Sequence, residues 1–121
     1  MIYERFDIVV VPFPFTDRTS TIRRPALVLS AADPFGRESG QYVLAMITRT
    51  ARSIWPYDVP LSDLASSGLR VAGVVRMKLF TLDASLVLRQ IGALGEADQV
   101  AVRGALWAHL RLGEAAPELQ A

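Results

Sequence analysis

The chain has 121 residues, 51% of them hydrophobic, which is enough apolar material for one packed core and excludes a disordered chain. Its 13 Lys and Arg against 12 Asp and Glu leave a net charge of +1, too balanced for nucleic-acid binding by bulk electrostatics, so such a partner would have to meet a local cluster. There is no cysteine, which excludes disulfides and thiolate metal sites.

At the N-terminus, Glu4, Arg5 and Asp7 precede any apolar run, a pattern unlike a signal peptide. No uncharged apolar stretch reaches the ~18 residues of a membrane helix. The expectation is one cytoplasmic domain over residues 1–121, with no membrane association.

Residues 6–12 predict a first strand built on the β-branched run Ile8–Val11. Pro12 and Pro14 are expected to end it, because proline has no N–H for a ladder. A polar loop over about 13–23 follows, in which Phe13 and Phe15 suit either core packing or exposed base stacking. It delivers Arg23 and Arg24 to the start of a second strand, Ala26–Leu29. Pro25 restricts Arg24 to extended backbone, so that guanidinium is held more rigidly than most.

Turn chemistry at Asp33, Pro34, Gly36 and Gly40 leads into a third strand, Gln41–Thr48, nearly continuous in apolar residues and therefore central. Trp55 to Val59 reads as a shorter strand ending near Pro60 and Leu61. DLASSGL reads as one helical turn stopped by Gly68, whose freedom at positive φ suits a C-cap. Val71–Lys78, continued through Leu79–Leu82, forms the next strand; Asp83 caps a short turn at ASL, and Val87–Ile91 forms the last strand.

From Glu96 the period changes: Val102, Leu106 and Leu110 recur every four residues, with Glu96 and Asp98 in the first turn where the helix dipole favours negative charge. A helix over 96–111 is predicted, stopped by Gly113. Six or so short strands and one terminal helix indicate a mainly β (α+β) fold, a small, strongly curved sheet capped by a helix.

The segment FDIVVVPFPFTD followed by RRPALVLS, then AMITRT, GVVRMKLFTLD and IGAL before the last helix, resembles in that order the MazF/PemK family of type II toxin–antitoxin systems. The resemblance implies a small SH3-like barrel of six or seven strands with a C-terminal helix, working as a homodimer. It further implies an endoribonuclease, an mRNA interferase, that cuts single-stranded mRNA at short motifs, and a cognate antitoxin as partner. Attack by the adjacent 2′-OH would leave a 2′,3′-cyclic phosphate.

Arg24 matches the family's catalytic arginine, and a planar guanidinium with five donors suits the charge that grows on a phosphoryl group. Thr48 is the first polar side chain after the third apolar run and matches the second active-site residue. Arg76 matches an arginine that some members use in catalysis. The acidic residue found two positions later in those members is Lys78 here, which cannot act as a carboxylate base. Lys78, Arg23 and Arg49 are assigned to RNA binding, with Phe15 and Trp55, and also Tyr57, as stacking candidates. No residue presents itself as the general base.

His109, the only histidine, is expected to complement the end of the helix dipole and not to act in catalysis. No Cys/His cluster, HExxH, Walker A or GxGxxG motif occurs, so a reaction without metal or cofactor is expected. The rival reading is a non-catalytic module on the same barrel, a CcdB-like gyrase inhibitor or an SH3-like peptide binder. It accommodates the balanced charge and the missing base.

Overall fold

The computed structural model describes residues 2–13, 22–49, 54–111 and 113. Six strands form one antiparallel sheet in the order β4-β5-β3-β2-β1-β6. They are β1 (Asp7–Phe13), β2 (Ile22–Val28), β3 (Gln41–Arg49), β4 (Val59–Pro60), β5 (Gly73–Asp83) and β6 (Arg89–Ala93). A helical turn α1 (Arg37–Ser39) follows an irregular turn after β2, α2 (Leu64–Ser67) precedes β5, and α3 (Glu96–Leu110) closes the fold. The mainly β architecture with a C-terminal helix is the expected one, the barrel taking the form of a curled sheet edged by β4 and β6.

Side-chain alternation divides the sheet into two packed faces. Ile8, Leu27, Ala45, Ile47, Val75 and Met77 point to the face covered by α3, where Val102 is fully buried among them. Val9, Val11, Ala26, Val28, Tyr42 and Leu44 point the other way, closed over by Tyr3 and Val87. Tyr42 is fully buried there, and its hydroxyl accepts from Tyr3 N at 2.9 Å.

The first two strands differ from the sequence reading in a way that matters. β1 does not stop at Pro12 but runs through it to Phe13, and β2 starts at Ile22, so Arg23, Arg24 and Pro25 are strand residues and not loop residues. Both prolines fit because each lies where its strand has a partner on one side only. β6 pairs with β1 over Asp7–Val10 and has ended before Pro12. The β2–β3 pairing covers Ala26–Val28 and stops short of Pro25. The missing N–H groups therefore fall where no ladder continues.

Three other boundaries shift. Residues Trp55 to Asp58 form a turn, leaving only Val59–Pro60 as strand. The last strand is displaced two residues, to Arg89–Ala93, because Leu86 and Val87 belong to the turn that Asp83 caps by accepting from Ser85 N. Helix α3 ends at Arg111 in a left-handed conformation (φ 49°), with its N–H donating to Trp107 O, and not at Gly113. Asp98 lies in the first turn as expected, and it is buried there, receiving Ser62 N, Ser62 Oγ and Asp63 N at 2.7–3.1 Å and tying the helix to the segment before α2. No helix among the described residues is long and apolar enough to cross a membrane.

Candidate functional site

The register decides which candidate residues meet. Val11 lies opposite Arg24 across β1–β2, so Arg24 shares the face away from α3, and Phe13, two residues along, is its diagonal neighbour. The guanidinium carbon of Arg24 sits 5.3 Å from the Phe13 ring centroid. On the other side, Ala26 pairs with Met46 and the β2–β3 pairing ends there; Arg24 and Thr48, each two residues further on, lie on the same face of the sheet. Met46 in turn pairs with Arg76 across β3–β5. Neighbouring strands are roughly 5 Å apart, so Arg24 and Arg76 flank the central strand from its two sides.

These residues line one cleft of about 200 Å³ with Phe13, Met46, Ile47, Trp55 and Lys78. The structure thus brings together Arg24, Thr48, Arg76, Lys78 and Trp55. A register shift in β5 between the partners of Ala45 and Met46 falls beside Arg76 and Lys78, on the wall of the cleft.

Arg76 is a fixed cation. Its Nε donates to Asp58 Oδ1 at 3.1 Å and its Nη2 to Asp58 Oδ2 at 3.0 Å, a two-pronged pair. Its guanidinium carbon lies 5.1 Å from the Trp55 ring centroid. The backbone turn makes this arrangement: Asp58 N donates to Trp55 O at 3.3 Å and Tyr57 adopts φ 67°, with Pro56 ahead of it, as in a type II turn. Trp55 N donates back to Asp58 Oδ2 at 2.9 Å. The bonds from Arg76 hold the Asp58 carboxyl below its ordinary value, and the same pair raises Arg76.

Asp58 is the residue that sequence reasoning missed in this role, while Phe13, for which core packing and base stacking were both open, lies against Arg24 in the cleft. For Asp58 the signal was present in Pro56-Tyr57-Asp58, a turn-forming run that was read as strand. With both oxygens engaged and its proton affinity lowered, this carboxylate orients Arg76 and is unsuited to act as a base.

Arg23 alternates to the face of α3, opposite Pro12, so the arginine pair points to two sides of the sheet. A second cleft of about 250 Å³ is lined by Arg23, Arg24, Pro25, Ile47, Thr48 and Arg49, with Leu69, Val71, Ala72 and Gly73 completing its wall. Pro25 explains this opening. Leu88 N donates to Val10 O, so Val10 directs its backbone groups toward β6 and its partner Pro25 directs its own toward β3. With no N–H to donate there, β2 separates from β3 beyond Ala26.

His109 is exposed on α3 and meets the Tyr57 ring edge-on, with centroids 6.3 Å apart, a contact between the helix end and the Trp55 turn. Phe15 lies outside the described residues. Among the described residues no three His, Cys, Asp or Glu side chains are grouped closely enough to hold a metal ion.

The family described as the PemK-like, MazF-like toxin of type II toxin–antitoxin systems matches residues 4–110. The chain belongs to this family. MazF of Deinococcus radiodurans is 27% identical, with a TM-score of 0.71 covering 93% of this chain and 99% of its own. The Mycobacterium tuberculosis toxin MazF-mt6 is 25% identical, with a TM-score of 0.67 over 88% of this chain and 98% of its own. The same fold occurs in the MazE–MazF complex of Deinococcus radiodurans, at 24% identity and a TM-score of 0.72, over 93% of this chain and 99% of that one. No protein of curated function matches the sequence. As a PemK/MazF toxin, the protein carries its cationic cleft across the centre of the family's sheet, on strands β1, β2, β3 and β5.

Proposed function

We propose that this toxin is an endoribonuclease that binds single-stranded mRNA in the cleft between Arg24 and Arg76 and cuts it at short motifs. The observation that carries the reading is the meeting of Arg24 and Thr48 on one cleft wall, flanked by a second cation that Asp58 and Trp55 hold in place. In the reaction the 2′ oxygen attacks the adjacent phosphorus, a P–O bond to it forms, and the bond to the 5′ oxygen breaks. The products are a 2′,3′-cyclic phosphate and a 5′-hydroxyl, with net passage of one proton from the 2′-OH to the departing oxygen.

Arg24 presents its fork to the non-bridging oxygens as their charge grows, Thr48 donates its hydroxyl to the same group, and Arg76 adds a second fixed positive charge. Lys78, Arg23 and Arg49 hold neighbouring phosphates. Trp55 and Phe13 offer ring faces beside the cations, the combination that single-stranded bases and backbone use together. Charge stabilisation comes from side chains throughout, so the activity is expected to need no metal. By analogy with the MazE–MazF complex of Deinococcus radiodurans, a cognate antitoxin would neutralise the toxin by laying carboxylates against Arg23, Arg24 and Arg76. A homodimer is the working form.

The test is incubation of the purified protein with cellular RNA in EDTA. Cleavage that persists, ends in 2′,3′-cyclic phosphate and disappears in Arg24→Ala and Thr48→Ala supports the reading. Dependence on added divalent metal, or cutting of a strand with 2′-deoxyribose at the cut position, overturns it.

A further inference from the structure

A third cleft lies on the face of α3, lined by Arg23, Arg70 and Arg89 together with Val10, Pro25, Leu69 and Ile91, with Arg24 at the edge it shares with the other face. We propose that it is a second binding track for the RNA, one that grips the phosphate backbone of the strand beyond the scission cleft. The proposal rests on the ribonuclease reading above and extends it to residues outside the catalytic cleft.

The pairing pattern builds the track. Val10 pairs with Pro25 on one side and with Arg89 on the other, so Arg89, Val10 and Pro25 form one row across β6, β1 and β2 with side chains on one face. Arg23, two residues before Pro25, stands on the same face. The loop after α2 brings Arg70 over this row, anchored where Gly68 packs on the backbone of Ile91. The cleft is about 580 Å³, wider than the two beside it. Its arginines are all exposed, and among the described residues no carboxylate lines it.

Three observations favour a nucleic-acid backbone over an acidic peptide. The walls are mainly polar, giving an amphipathic peptide few apolar anchors. Among the described residues no aromatic ring lines the cleft, so they offer guanidinium forks to phosphates and no stacking face to bases. Finally, Arg23 and Arg24 belong both to this cleft and to the one beside Thr48, so a strand leaving the scission site around the rim of β2 meets it without a gap.

The track should therefore add affinity that depends on strand length and not on sequence. The experiment compares wild type with the Arg70→Gln/Arg89→Gln double variant, using random-sequence 2′-O-methyl oligonucleotides of about 4 and about 16 nucleotides. Expected is a roughly tenfold loss of affinity for the long strand and none for the short one. The log–log salt slope for the long strand should fall by about 0.7 for each phosphate contact removed. Unchanged affinity and slope for the long strand, with wild type binding both, overturns the track and leaves the ribonuclease reading standing. Failure of wild type to bind either strand removes both. Loss of binding to the co-expressed antitoxin with RNA affinity unchanged also overturns the proposal and gives the cleft to an acidic protein segment.

Discussion

Asp58 is held by Arg76 and by the backbone of Trp55 at once, and its charge has a measurable signature. Its folded-state pKa lies below the ordinary 3.8, so the stabilisation is fully present above the unfolded value and fades as pH falls through the folded one. Asp58→Asn should cost about 1 kcal/mol at pH 7, given the partial exposure of the pair. In urea titrations the gap between wild type and variant should narrow as pH falls below the ordinary 3.8 and close only below the folded-state value. In the proposed reaction the same variant should slow cleavage several-fold while leaving Arg24 and Thr48 in place. At Arg24, a lysine keeps the charge but loses the fork, so Arg24→Lys should lower kcat by about 10²-fold with little change in melting temperature. The turn that presents Asp58 is legible in Pro56-Tyr57-Asp58, but its pairing with Arg76 is not, because the two lie 18 positions apart.

Among the elements, α2 and β6 meet at a contact that admits no side chain. Gly68 has φ +75°, and a Cβ there would collide with the backbone of Ile91. Gly68→Ala should therefore destabilise by more than about 2 kcal/mol, a fall of roughly 10 °C in a thermal melt. Asp98→Ala strands the donors of Ser62 and Asp63 on the inner side of α3 and should cost about 2–3 kcal/mol in the same assay. The Gly68 cap and the period of α3 were legible because each is written in adjacent residues. β3 was legible too, since a strand buried on both faces announces itself as an unbroken apolar run. What the residues hid was the extent of β1 and β2. Proline ends a strand only where a ladder continues on the side it faces, and Pro12 and Pro25 meet no ladder there; that neighbour relation is long-range.

For the whole molecule, a net charge of +1 conceals a sharp segregation. Arg23, Arg24, Arg49, Arg70, Arg76, Arg89 and Lys78 line three neighbouring clefts, none of which has a carboxylate among its described lining residues. The composition argued only that a nucleic-acid partner would need a local cluster, and folding supplies it by drawing arginines from β2, β3, β5, β6 and the loop after α2. RNA affinity should accordingly fall steeply with salt despite the near-neutral chain, with a log–log slope of about −3 for four to five phosphate contacts. A filter-binding series between low and physiological salt checks this.

The gap between β2 and β3 at Pro25 has a cost that selection can act on. A residue with an N–H at that position would let the ladder close by further rungs, giving a tighter sheet and a narrower mouth beside Thr48. Pro25→Val is thus expected to raise the melting temperature while weakening RNA binding, a trade of resilience for access. One absent hydrogen-bond donor would then keep the toxin open to its substrate.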